Sequence, residues 1–455
     1  MKKILLILLQ IFIASSLTVA LAITKKDAQT LVENHQYEEA IDALKTLMRQ
    51  SAYAKDGDCN KLLGQSLCLT GRYKEALPHL QTAIRLNRRS GAQWYLAITL
   101  QHLYDFEGAL EAIEAYRPVL KSDLWLEKAD SLEAECQQGL RAMNHIEDVE
   151  IIDSLFVYKP SFFSYYKLGP ESGRIMNDEQ NGLYFENQAA DYRLYALDGS
   201  FYESYKIQNT WEDPHPLKGV GSEDFQMITP FMRTDGETLY FACDSTPGIG
   251  GLDIYKTRFN SEAGEFYQAE RLGMPFNSPF DDYMMAIDET HQVGWWATDR
   301  GDDPEHVLIY LFKLNDNPEY LDEADESRAR IDRIADSWKQ EGGYEELMSS
   351  IMSSEKQKRE DDGMRIVISG QKVYHSLDQF RNPEARKWFE QNLQTQKLIS
   401  ENEEKLRDLR AEYAAAPKAK KSQIASQIHR IEEELYSFYR QIRLVEKKYR
   451  SLEVE

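Results

Sequence analysis

The chain has 455 residues and carries 76 acidic against 54 basic side chains, a net charge of −22. That length predicts about two to four domains. The charge argues against nucleic acid or an anionic bilayer as partner, because neutralising phosphates takes clustered Lys and Arg. At the start, Lys2 and Lys3 precede the apolar run Ile4–Ala14, and Ala20-Leu21-Ala22 offers a small-x-small cleavage site. Residues 1–22 therefore read as a cleaved secretory signal peptide, which predicts a mature protein outside the cytoplasm, periplasmic or associated with the outer membrane. The competing reading, an uncleaved anchor, is weakened by Gln10, Ser15, Ser16 and Thr18 within the run. No cysteine sits just beyond Ala22 to take a lipid anchor, and no later stretch predicts a transmembrane span. Cys59, Cys68, Cys136 and Cys243 lack metal-ligand spacing and read as small buried hydrophobes rather than disulfide partners.

Residues 24–144 have a helical period. Tyr37-x-x-Ala40, Tyr73-x-x-Ala76 and Phe106-x-x-Ala109 recur about every 35 residues, with Leu44, Leu80 and Ile113 on the following turn. A small alanine at a helix contact lets the partner approach, and the aromatic one turn earlier fills the gap beside it. Leu63-Gly64 and Leu96-Ala97 stand ten residues before the aromatics of the second and third copies. The pattern resembles tetratricopeptide repeats (TPR), three of them, with a capping helix near Ser122–Leu140. The resemblance implies an all-α solenoid whose first helices line a peptide groove, to which Lys25, Gln29, Lys61, Gln65, Trp94, Gln101 and His102 would contribute. The alternative for these residues is a solvated helix face, with Trp94 in the core.

Residues 151–314 change to strand patterning. Leu183-Tyr184-Phe185, Leu239-Tyr240-Phe241 and Val293–Trp296 each precede a second strand ending in Tyr195, Tyr255 or Tyr310. Short strand pairs of this kind cannot bury a core singly and must stack on their copies. The middle copy includes the loop Gly248-Ile249-Gly250-Gly251, and Asn277-Ser278-Pro279-Phe280-Asp281-Asp282 follows it. This arrangement resembles the blades of the TolB-like, WD-type β-propeller family. Three blades fall short of the usual minimum of four. A divergent fourth blade, one supplied from downstream, or an open arc closed by another part of the chain are the alternatives.

Residues 315–382 read as an acidic helical connector. It includes a stripe of Ile331, Ile334 and Trp338, an exposed linker at Lys356–Asp362, and a hairpin of Met364–Ser369 with Lys372–Tyr374. That hairpin is the candidate for a missing propeller strand pair. From 383 to 455 the a/d rhythm is the most regular in the chain: Ala385, Trp388, Asn392, Thr395, Ile399, Asn402, Leu406, Leu409 and Tyr413, then Ile424, Ile428, Ile431, Leu435, Phe438, Ile442, Val445, Tyr449 and Leu452. Pro417 separates the two arms and should stop a helix. The expectation is an antiparallel coiled-coil hairpin within one chain, with pairing between chains in a dimer as the alternative.

Chemistry is sparse in this sequence. The nine histidines are scattered, and no zinc, nucleophile-elbow, Walker or dinucleotide motif is present. The Gly248–Gly251 run lacks a following Lys-Ser/Thr and reads as a tight turn between strands. Asp281-Asp282 and Asp299-Arg300 allow two readings, a cation or acid/base site, or carboxylates that cap turns and tie neighbouring blades. No catalytic residue, cofactor or metal is expected. A signal peptide ahead of TPR and TolB-like segments resembles envelope proteins of the Bacteroidota. Some of those serve type IX secretion and carry an OmpA-like peptidoglycan-binding domain, which is not recognisable here. The expected function is a non-catalytic extracytoplasmic interaction scaffold, docking other envelope proteins or peptides. The alternatives are a small-ligand or glycan-binding protein, or a propeller hydrolase such as a peptidase.

Overall fold

The computed structural model describes residues 23–87, 91–178, 182–207, 210–220, 225–301, 303–315, 317–321, 343, 345–351, 366–369 and 372–454. The expected signal peptide, the Ile331/Ile334/Trp338 stripe and the linker at Lys356–Asp362 lie outside them. The chain forms two compact units, one ending at Cys136 and the other starting at Gln137. Among the described residues, no helix is long and apolar enough to cross a membrane.

The first unit is helical: α1 (Lys25–Glu33), α2 (Tyr37–Met48), the single turn α3 (Ser51–Ala54), α4 (Gly57–Leu69), α5 (Tyr73–Leu86), α6 (Ala92–His102), α7 (Phe106–Tyr116) and α8 (Asp123–Met143), which runs past the boundary. Side chains satisfy the exposed amides at several helix starts. Thr24 and Asp27 form a capping box on α1. Asp56 accepts from the amides of Asp58 and Cys59 at 2.9 Å each, and Asp105 accepts from that of Gly108 at 3.1 Å. Ala40, Ala76 and Ala109 are each wholly buried. Between α4 and α5 the approach is close enough to require glycine: a Cβ on Gly64 would stand 2.6 Å from Leu80 Cγ. Leu44, Leu63, Leu67 and Leu80 fill the core there.

The second unit is built from antiparallel sheets followed by helices. A short strand β1 (Ile146–Glu147) leads to β2 (Ile151–Tyr158). The first sheet holds β3 (Arg174–Asp178), β4 (Gly182–Glu186), β5 (Tyr192–Leu197) and β6 (Ser200–Ile207), with β7 (Thr210–Trp211) and β8 (His215–Pro216) both on β6. The second holds β9 (Met227–Met232), β10 (Thr238–Cys243) and β11 (Asp253–Asn260), with β12 (Glu265–Phe266) and β13 (Glu270–Arg271) on β11. In the third, β14 (Asp282–Asp288), β15 (Val293–Thr298) and β16 (His306–Lys313) are joined by β2, which comes from the start of the unit. Val157 opposes Val307 and Leu155 opposes Ile309 in that long-range closure. One apolar core runs through all three sheets, from Phe185 and Phe201 through Phe231 and Ile254 to Trp295 and Tyr310. Every residue of β14 and β15 is buried, as for strands covered on both faces.

The repeated sequence pairs are repeated cross-strand ring pairs. Tyr184 opposes Tyr195, Phe241 opposes Tyr255, and Trp296 opposes Tyr310, with ring centroids 5.3, 5.8 and 4.7 Å apart. Such pairs stabilise antiparallel strands by about 0.5–1.5 kcal/mol beyond area burial.

Further on, β17 (Tyr320–Leu321) pairs with β1, while β18 (Ile366–Val367) and β19 (Val373–Tyr374) pair with each other. The expectation that this last hairpin supplies a strand pair to the larger sheets is therefore corrected. The cause is Tyr374, whose ring meets Phe380 at 5.2 Å and whose hydroxyl donates to Glu453 at 2.5 Å, drawing the hairpin to the C-terminal helices. Those helices are α9 (Pro383–Ala415) and α10 (Lys418–Val454), broken at Pro417 as expected. Asn382 caps α9 through the amide of Glu384 at 2.9 Å, with Pro383 in the first position, where its missing N–H costs nothing. The two helices pack along each other within the chain. The seam buries Ala385, Asn392, Thr395, Ile399, Asn402 and Leu406 against Ile424, Leu435, Ile442, Val445 and Tyr449. Phe389 takes the buried aromatic position next to Trp388, and Tyr413 near the turn is exposed.

Candidate functional site

The expected groove residues of the helical unit have diverse surroundings. Lys25 is engaged by the α4 cap, with its ammonium 3.0 Å from Asp56 and 2.7 Å from Asp58. Gln29 is exposed and donates to Glu33 one turn on, at 2.8 Å. Lys61 and Gln65 sit half-buried, one turn apart on α4. Trp94 meets Trp125 edge-on at 5.3 Å and Tyr116 at 6.2 Å, which ties α6 to α7 and α8. Gln101 is buried and donates to Glu135 of α8 at 3.1 Å. His102 stacks on Tyr73 at 4.2 Å, and its Nδ1 lies 2.9 Å from the carbonyl of Ile98. Lys61 and Gln65 are thus the half-open polar pair, while Trp94, Gln101 and His102 each join one helix to another.

In the sheet unit, the Gly248–Gly251 loop is a structural turn. Asp253 accepts from the Ile249 amide at 2.7 Å, and a Cβ on Gly250 would lie 2.1 Å from the carbonyl oxygen of Phe280. Only glycine allows the 278–280 backbone so near. Asn277, wholly buried, accepts from the Ile254 amide at 2.6 Å and donates to the carbonyls of Ile254 and Leu272 at 2.9 Å. Asp281 accepts from the Leu252 amide at 3.0 Å, joining the second sheet to the third. Asp282 is wholly buried, pairs with Arg300 at 2.9 Å and accepts from Ser278 at 2.8 Å. Burial pushes its carboxyl up to about 7, against the opposing pull of Arg300. Tyr283 donates to Asp299 at 2.7 Å. These aspartates tie backbone and strands together, which is the turn-capping reading of the two. Among the described residues, no group of three His, Cys, Asp or Glu side chains is placed to hold a metal ion, and the four cysteines are buried and unbridged.

A concave feature with convergent polar groups lies where α10 covers the first two sheets. It is a cavity of about 50 Å³ lined from the first sheet by Phe185, Tyr192, Glu203 and Tyr205, and from the second by Met232, Arg233 and Thr234. Glu171 adds to the wall, and α10 contributes Arg443, Glu446, Lys447 and Arg450. These four follow i, i+3, i+4, i+7 spacing and so share one helical face. Arg443 pairs with Asp191 and, at 2.9 Å, with Glu446. Arg450 donates to the Thr234 carbonyl at 2.8 Å, and Arg233 pairs with Glu289 at 2.5 Å. Glu203 accepts from Tyr192 at 3.3 Å and from Tyr205 at 3.1 Å. Lys447 rests on the face of Phe259, 3.5 Å from the ring centroid. Burial pulls its amine down to about 8, although Glu203, Glu237 and Asp235 act in the other direction.

The a/d seam of α10 is visible in the sequence, but this charged face beside it is not. Arg, Glu, Lys and Arg at helical spacing describe a solvated surface equally well, and only the sheets packed against them make them interior. No family model, curated protein or solved structure matches the chain.

Proposed function

We propose that the chain is a non-catalytic interaction scaffold of the cell envelope, working outside the cytoplasm. In this reading the helical unit is a tetratricopeptide-repeat array and the sheets are β-propeller-like blades. The observation that carries it is the recurrence of one contact: Ala40, Ala76 and Ala109, wholly buried at matching places in three successive helix pairs. Stacked units of that kind present an extended face made of their first helices, suited to a peptide. On α4 that face offers Lys61 and Gln65. The α9–α10 arm adds reach, since the residues around the Pro417 turn are largely exposed. Two weak contacts on one chain raise the effective concentration of a partner at the second.

In-cell crosslinking followed by affinity purification tests this, comparing the full-length protein with a Lys61→Glu/Gln65→Glu variant whose helicity is checked by circular dichroism. Recovery of a defined set of envelope proteins that falls about tenfold in the variant, roughly 1.4 kcal/mol, supports the reading. Equal recovery from both forms, or nothing above background from either, overturns it.

A further inference from the structure

Among the described residues, Lys447 is a charged group of α10's inner face with no carboxylate partner within ion-pair distance. Arg443 has two carboxylates and Arg450 a backbone carbonyl. The Lys447 ammonium has ring faces beside it, Phe259 at 3.5 Å and Phe266 at 5.4 Å. An ammonium carries three donors, and on this half-buried side chain they are left to solvent or to a ligand. A second donor in the same wall is also open. Arg450 is 7% exposed, and its Nε–H has no acceptor among the described residues. Lys447 and Arg450 stand three residues apart on one helical face, and both side chains line the same cavity.

The remaining wall narrows the ligand class. Glu171, Glu203 and Glu446 line the same cavity and repel a dianion about twice as strongly as a monoanion. The rings of Phe185 and Tyr192 offer carbon a dry surface. With about 50 Å³ to fill, and about 10–15 Å³ needed per water-sized group, the space suits a handful of heavy atoms. We propose that this cavity binds a small monocarboxylate of acetate to propionate size, its oxygens accepting from Lys447 and Arg450 and its carbon end lying on Phe185 and Tyr192. The site is separate from the docking face on the helical unit, and neither proposal depends on the other.

Thermal melting of the full-length protein at pH 7 tests it, with sodium acetate, propionate, phosphate or chloride at matched ionic strength. A ligand that binds only the folded state raises the melting temperature with the logarithm of its concentration. The expected result is a rise of about 2–4 °C per tenfold acetate or propionate, absent for phosphate and chloride and lost in Lys447→Met. An equal shift for acetate and chloride overturns the proposal, as does a shift specific to phosphate, or an acetate-specific shift that survives in Lys447→Met. Should the variant fold poorly, saturation-transfer NMR on the propionate methyl group decides with the wild-type protein. A signal displaced by acetate and not by phosphate supports the site; no signal, or displacement by phosphate, overturns it.

Discussion

The helical unit and the sheet unit handle charge in opposite ways. In the first, the core is leucine, alanine and cysteine, and ion pairs such as Lys25–Asp56 and Lys45–Glu75 lie at the surface. In the second, carboxylates and guanidinium groups go inside: Asp282 with Arg300, and Glu186 with Arg193. The difference follows from backbone bookkeeping. A helix satisfies its own amides and carbonyls locally, so helices can be joined through apolar stripes alone. Loops that cross between sheets leave amides to be capped, and Asn277, Asp281 and Asp253 meet that need at the cost of burying polarity.

Substitutions on either side of this contrast should differ in size. The largest loss is expected for Arg300→Ala, which leaves Asp282 buried without its cation. Urea denaturation followed by Trp fluorescence should show a loss of about 3–5 kcal/mol in the sheet unit. A loss below 1 kcal/mol would mean that the pair is not desolvated as described. Leu80→Ala in the helical unit has no charge to strand and should cost about 2–4 kcal/mol through its cavity alone, read from the helical signal at 222 nm.

Asn392 sharpens the comparison from the other direction. It is 1% exposed on the α9–α10 seam, and neither its Oδ1 nor its Nδ2 has a hydrogen-bond partner among the described residues. Replacing it by leucine should stabilise the hairpin by about 1 kcal/mol and raise the melting temperature, unless the amide is needed to fix register. A lower melting temperature would assign it that register role.

A smaller, pH-dependent effect belongs to Lys447. Its folded-state value of about 8 lies below the 10.5 of an unperturbed lysine, so the unfolded chain binds more protons between those values. Its penalty is therefore full below pH 8 and is relieved as pH rises toward 10.5. The groups facing it are Glu203 from the first sheet, Glu237 and Asp235 from the second, and Arg443 on its own helix. The difference in melting temperature between wild type and Lys447→Met should shrink or reverse in favour of the wild type across that window. A difference independent of pH would place the titrating group elsewhere. The smallest change is expected for Lys25→Ala, a partly solvated pair contributing at most about 1 kcal/mol by the same denaturation assay.

Local pattern determined much of this protein from the sequence alone. The Tyr/Phe-x-x-Ala spacing located three helix pairs, the apolar runs at Leu183, Leu239 and Val293 with their following strands ending in Tyr195, Tyr255 and Tyr310 located three strand hairpins, and Pro417 divided the two long helices. Each of these signals lies within one or two elements, where side-chain period and backbone geometry are coupled directly. Tertiary structure decided the pairings that join distant segments. It brought β2 onto β16, set β18–β19 against Tyr374's partners on the C-terminal helices, and turned Gln101 and His102 toward neighbouring helices. It also converted Arg443, Glu446, Lys447 and Arg450 from an apparent surface stripe into the wall of a cavity. A helix carries no record of which of its polar faces will be covered. That is settled only when another element, hundreds of residues away, is packed against it.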